Sequence, residues 1–232
     1  MNKLLLDICK KHIPPKSENA VISEGYIPYI PDNWNKILVL AESQNLSRQN
    51  KKYVDWIQSL TPIERMNRLN EYKNGIGIQP WDDGSLKLAI ESALNEKSEN
   101  TGVSNASLWS QQRNTGANIN PSNILLNLSA LIGKEFLAIL QPKLIITAGK
   151  NAECVIKTSC WSGQHIKLRL PAKTALSRVS GMFKVEDLLM RYPEVNRVVI
   201  INPSWVNEYK QNKIFYACHA VSIIKYLTNQ YS

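Results

Sequence analysis

Four short runs rich in β-branched and aliphatic residues set the strongest constraint on what this chain can fold into: KILVLA (36–41), GVSNASLW (102–109), KLIITAG (143–149) and RVVIIN (197–202). Their apolar character is nearly continuous, whereas a strand with one wet face alternates, so they read as strands covered on both sides. Helical patterns separate them. Thr61-Pro62-Ile63-Glu64 offers an N-cap, a proline at the first helical position and a capping-box glutamate. Asp83 or Ser85 can cap SLKLAIESALNE, in which Leu86, Ile90, Ala93 and Leu94 share a face. Pro121 opens a long apolar helix that ends before Pro142, and NKIFYACHAVSIIKYLTN (212–229) reads as a final amphipathic helix. Strands alternating with helices predict the α/β class, as a three-layer α/β/α sandwich around a central four-stranded parallel sheet. QHIKLRLP (164–171) reads equally as an added strand or a loop.

A chain of 232 residues is long enough to bury one full core, so a single domain over 1–232 is expected, with residues 1–25 as an N-terminal helical extension. The most apolar segment, ILLNLSALIGKEFLAIL, is interrupted by Gly133-Lys134-Glu135, so no membrane span is expected. MNKLLLDICKKHIPP has too short an apolar core for a signal peptide. A cytoplasmic, monomeric protein is the expectation. The four cysteines, Cys9, Cys154, Cys160 and Cys218, form no C-x-x-C pair, and neither a metal nor a cofactor is expected.

Charge is uneven along the chain. Residues 1–120 carry 14 Lys and Arg against 13 Asp and Glu, while residues 121–232 carry 14 against 6. Between 143 and 184 stand Lys143, Lys150, Lys157, Lys167, Arg169, Lys173, Arg178 and Lys184, with Glu153 the sole acid. Such one-sided positive charge suits a polyanion, because each phosphate neutralised releases condensed counterions; it also suits a plain solvated face.

Ligands of parallel α/β sheets bind beyond the C-terminal ends of the strands. Here those ends lead into Glu42-Ser43-Gln44-Asn45, Asn105 through Trp109, Gly149-Lys150-Asn151 and Asn202-Pro203-Ser204-Trp205. With ILVLAESQNLS (37–47), VSNASLW (103–109), LQPKLIITAGKNA (140–152) and Asn202-Pro203-Ser204 in this order, the chain resembles the uracil-DNA glycosylase superfamily over about residues 26–225. The resemblance implies a monofunctional DNA glycosylase that extrudes a nucleotide, cuts its N-glycosidic bond and leaves an abasic site. Its partner would be DNA, either duplex with a flipped base or single-stranded.

On this resemblance Glu42, or failing it Ser43, orients the attacking water, and an aspartate beside Trp81 (Asp82 or Asp83) stands in reserve. Asn105 reads the base edge, and Asn202 donates to the charge that develops on the leaving base. Trp81 stacks on the base, and Ser204, Lys150 and Arg178 hold phosphates. Trp205 is either a wedge into the vacated stack or a core residue. Structural duties compete at each position: a strand-end cap for Asn105, an Asx turn for Asn202, a salt bridge for Glu42, and packing for Trp81.

Ala41 and Gln44 replace the usual glycine and proline of the first motif, and no histidine stands in the last. Asn45 takes the place of an aromatic ring that walls off the pyrimidine 5-position in the most uracil-selective relatives. Gln44 and Asn45 would then line a pocket open to a 5-modified pyrimidine, such as the hydroxymethylated or glucosylated cytosine of phage DNA, with a role in antiviral defence. Two other readings compete: a DNA-binding module of the same fold without catalysis, and a hydrolase of free nucleosides or nucleotides.

Overall fold

The computed structural model describes residues 2–20, 28–42, 59–61, 64, 81, 83–109, 111, 121–169, 183–206 and 208–229. The chain divides into two compact units, one of residues 1–78 with 101–167, the other of residues 79–100 with 168–232.

The first unit is built on a four-stranded parallel sheet in the order β2-β1-β3-β4. Its strands are β1 (Ile37–Ala41), β2 (Gly102–Asn105), β3 (Leu144–Ala148) and β4 (Gln164–Leu168). The α/β class and the parallel sheet are those expected from the sequence. β1 is central, pairing Ala41 with Asn105 on one side and Leu40 with Thr147 on the other. With a neighbour on each edge and cover on each face, all five β1 residues are buried.

Helix α1 (Asn2–Lys11) opens the chain; α3 (Asn123–Leu140) and α4 (Lys150–Thr158) flank β3 in sequence. Ser122 caps α3 by accepting from the Leu125 N–H, and Pro142 follows its end as expected. Leu38, Leu40 and Ile145 of the sheet pack with Leu126, Ala130 and Leu137 of α3 and Val155 and Ile156 of α4. Each of the Leu, Ile and Val side chains among them contributes about 1.5–3 kcal/mol on burial. Leu5, Ile8 and Cys9 of α1 pack with Trp109, Leu125, Ile132 and Phe136, so the N-terminal helix belongs to this core. The buried Glu18 carboxylate ties the segment down, accepting from Gln111 Nε2 and from the Ser122 hydroxyl. Helix α3 is long and apolar enough to cross a bilayer by length and composition, yet its apolar side chains supply much of this core.

The second unit holds α2 (Ser85–Leu94), α5 (Val185–Arg191), α6 (Pro193–Ile201), a 3-10 turn at Pro203–Val206, and α7 (Glu208–Asn229). The N-cap of α2 is Gly84, which makes no side-chain cap bond; just before it, Asp83 Oδ1 accepts from the Ser85 N–H at 2.8 Å and from the Ser85 hydroxyl at 2.6 Å. α2 lies along α7. Leu86, Ala89 and Ile90 of α2 are buried, as is a helical stripe on α7 comprising Ile214, Ala217, Val221 and Ile224.

One expectation is overturned. RVVIIN (197–202) is not a strand; it is the second half of α6, and the fourth strand of the sheet is Gln164–Leu168. Pro193 sits at the first helical position, and Val195 and Val199, one helical turn apart, are the buried pair. Ile200 and Ile201 face solvent, 69% and 83% exposed. β-branched residues favour strands only when the surroundings cover both faces, and here they do not.

Candidate functional site

Beyond the C-terminal ends of β1, β2 and β3 the first unit brings three segments side by side. Ala41 is in register with Asn105, so Glu42 and Asn105 emerge from neighbouring strands. The chain after β2 stays fastened to the end of β1: Ala106 N–H donates to Ala41 O at 2.7 Å, and Ser107 N–H to Glu42 O at 2.8 Å. Glu42 therefore has a fixed backbone.

The Glu42 side chain turns toward β3. Its Oε1 accepts from the backbone N–H of Asn151, at 3.0 Å, in the first turn of α4. Free N–H groups and the positive end of the helix dipole make that place favourable for an anion. Gly149 is the N-cap and has φ +113°, ψ 165°, a conformation that side chains with a Cβ rarely adopt. A Cβ there would lie 2.5 Å from Glu42 Cγ and 2.6 Å from Cδ. The glycine thus leaves the space that the glutamate fills. Among the described residues, Oε2 of Glu42 has no hydrogen-bond partner.

Asn105 is 4% exposed, and its Oδ1 is buried without a hydrogen-bond partner among the described residues. Leaving a buried amide oxygen unpaired costs about 1–3 kcal/mol. A cavity of about 30 Å³, whose lining includes Leu38, Leu40, Asn105, Gly133 and Phe136, lies in the same unit.

Farther along the sheet, Thr147 Oγ1 is 2.8 Å from His165 Nε2. Burial, then the Lys167 charge, holds the His165 imidazole below its ordinary value. Glu153 of α4 accepts from Lys157 and Lys167, which lowers its carboxyl to about 2. Two of the eight basic residues of 143–184 are thus paired with that segment's one acid. Lys150 at the start of α4 and Arg169 after β4 are exposed.

The other expected site residues are not among the described residues of the first unit. Ser43, Gln44, Asn45, Asp82 and Arg178 lie outside the described residues. Trp81, Asn202, Ser204 and Trp205 belong to the second unit. Asn202 ends helix α6, and its Oδ1 accepts from the Ser204 hydroxyl, a local side-chain bond within the turn that follows. The strand-end placement behind its role as a donor to the leaving base does not hold. Trp205 is 5% exposed with Lys213 Nζ 5.5 Å from its ring, and Trp81 is 1% exposed with Lys87 Nζ 5.3 Å away. Neither ring presents an open face in this conformation. Gly149 and Asn151 act on Glu42 in a way the sequence did not reveal; the signal available was a glycine between a buried strand and a helix.

Among the described residues no group of three or more His, Cys, Asp and Glu is placed to hold a metal ion. No family model, curated protein or solved structure matches the chain.

Proposed function

We propose that this protein is a monofunctional DNA N-glycosylase of the uracil-DNA glycosylase type, acting in the cytoplasm as a monomer. The observation that carries the reading is the placement of Glu42 and Asn105 on adjacent parallel strand ends, with the Asn105 Oδ1 buried and unpaired among the described residues. An orphaned acceptor is relieved by a ligand that brings a donor, and the edge of a pyrimidine supplies one at N3–H or at an exocyclic amine.

In the reaction the C1′–N bond breaks heterolytically and its electron pair leaves with the base. Water adds through its oxygen to C1′, and its proton passes to Glu42 or to the departing base. A positioned carboxylate contributes about 10²–10⁴-fold to such a step. Lys150 and Arg169 belong to the basic half of the chain that would follow the DNA backbone. The preferred substrate is uracil or a 5-modified pyrimidine; the latter rests on Asn45 in the sequence and would fit a role in defence against phage.

Glu42 also favours a second reading, since its Oε1 already serves as the cap of α4, as in a binding module without catalysis. Incubation with unmodified, uracil-containing and 5-hydroxymethyl- or glucosyl-cytosine DNA separates the two. Alkali-labile abasic sites on one substrate, lost in Glu42→Ala, support the enzyme. DNA binding with no abasic site on any substrate supports the module.

A further inference from the structure

We infer that Gly149 and the backbone N–H of Asn151 are positioning elements for the Glu42 carboxylate, an assignment that rests on the glycosylase reading above. A helix N-cap is usually Ser, Thr, Asp or Asn, each of which brings its own oxygen to the first-turn N–H groups. At α4 the N-cap is Gly149, which brings none and makes no side-chain cap bond. The oxygen comes from Glu42, 109 residues earlier, across the gap between β1 and β3.

A local serine would satisfy the same N–H and leave Glu42 loose. The combination found here does the reverse. Gly149 leaves room where its Cβ would overlap Glu42 Cγ and Cδ, and Asn151 N–H fixes Oε1 at 3.0 Å. With the Glu42 backbone held by the Ser107 N–H, both ends of the side chain are fastened. One carboxylate oxygen sets the orientation and Oε2 is the oxygen that meets the water. A carboxylate held in this way needs little reorganisation when water attacks.

The test combines two readouts on the full chain. NMR follows the Asn151 amide proton through an acid titration in the wild type, in Gly149→Ala and in Glu42→Gln. Steady-state base release from uracil- and 5-hydroxymethylcytosine-containing duplexes gives kcat and KM against pH. In the wild type the amide proton titrates with the carboxylate, and in both variants that response disappears. In Gly149→Ala kcat falls about 10²-fold while KM stays within about 3-fold, and the acid limb of the kcat–pH profile moves.

Alanine is strained at φ +113°, so Asn151→Pro serves as a second variant. It removes the donor at a first-turn position whose N–H has no intrahelical acceptor, and the same losses are expected. Wild-type kcat and pH profile in either folded variant overturn the positioning role and leave the glycosylase standing. No base release by the wild type, with the Asn151 amide still coupled to Glu42, overturns the glycosylase and with it the catalytic purpose of the contact.

Discussion

In β1 five consecutive apolar residues are all buried, whereas at the end of α6 two consecutive isoleucines stand in solvent. The residue types differ little. What differs is the surroundings: β1 has β2 on one edge and β3 on the other, with helices packed over Leu38 and Leu40. α6 buries only the stripe that carries Val195 and Val199. Each region also ends in a polar group. At β1 it is a glutamate whose backbone carbonyl is held by the chain beyond β2 and whose carboxylate is held by a helix; at α6 it is an amide bonded to a neighbour two residues on. A polar residue at the end of an apolar run becomes a site only when other parts of the fold converge on it.

The largest expected contrast is in activity. Glu42→Ala lowers base release by about 10²–10⁴-fold with DNA affinity nearly unchanged, as read by single-turnover assays and fluorescence anisotropy. Asn202→Ala leaves release close to wild type. A strong loss at Asn202 would break the comparison and assign its amide a part in the reaction.

Stability should show the same contrast. Leu38→Ala, at a residue 2% exposed, costs about 2–5 kcal/mol in urea denaturation. Ile201→Ala, at 83% exposure, stays within about 0.5 kcal/mol. A costly Ile201→Ala would mean that this end of α6 is covered in solution.

Asn105→Ala sharpens the comparison by opposing two effects. Removing a buried oxygen that has no partner among the described residues leaves stability unchanged or raises it by up to about 1 kcal/mol, while base release falls. Loss of stability together with activity would assign Asn105 to the framework. Gly133→Ala should stabilise by about 1 kcal/mol in the same denaturation assay. Its new methyl enters a helix interior and points where the nearest neighbour, Val155, lies 4.0 Å away.

The smallest effect is one of pH. His165 is held below its ordinary 6.5 by burial, then by the charges of Lys167 and Lys157, against the opposing pull of Glu153. Above 6.5 neither the folded nor the unfolded chain protonates it, and it contributes nothing. As pH falls below 6.5 the unfolded chain takes up a proton that folded His165 refuses, so stability declines until the folded value is reached. His165→Gln removes this slope while keeping a partner for Thr147, which denaturation at about pH 7.5 and about pH 5 would register. His219 of the second unit, lowered by burial and then by Arg169, contributes a slope of the same sign that survives the substitution.

Three of the four strands were legible: β1 and β3 as short, nearly unbroken apolar runs bounded by turn residues, and β2, Gly-Val-Ser-Asn, as the start of the longer run 102–109. The capping box was legible too: Thr61 N–H donates to Glu64 Oε2 at 2.8 Å, and Glu64 N–H to Thr61 Oγ1 at 3.3 Å. α6 was misread because a short β-branched run fits a strand or a buried helix turn equally well by periodicity. Pro193-Glu194 and the Val195–Val199 spacing were the helical signals that outweighed it. At the site, Glu42 and Asn105 followed from the strand-end rule, but their being neighbours depends on strand order. The bond from Asn151 to Glu42 spans 109 residues and leaves no local trace beyond one glycine.

The division of the chain also has a consequence in time. Residues 79–100 leave between β1 and β2 to join the second unit, and α2 packs along α7. During synthesis Leu86, Ala89 and Ile90 are made well before the stripe around Ile214 that covers α7's side of that pairing. About 120 residues at roughly 5–20 per second put the interval at about 6–24 seconds. For that period α2 presents an apolar face to the cell without its mate, and it is the stretch that a nascent-chain chaperone would be expected to shelter.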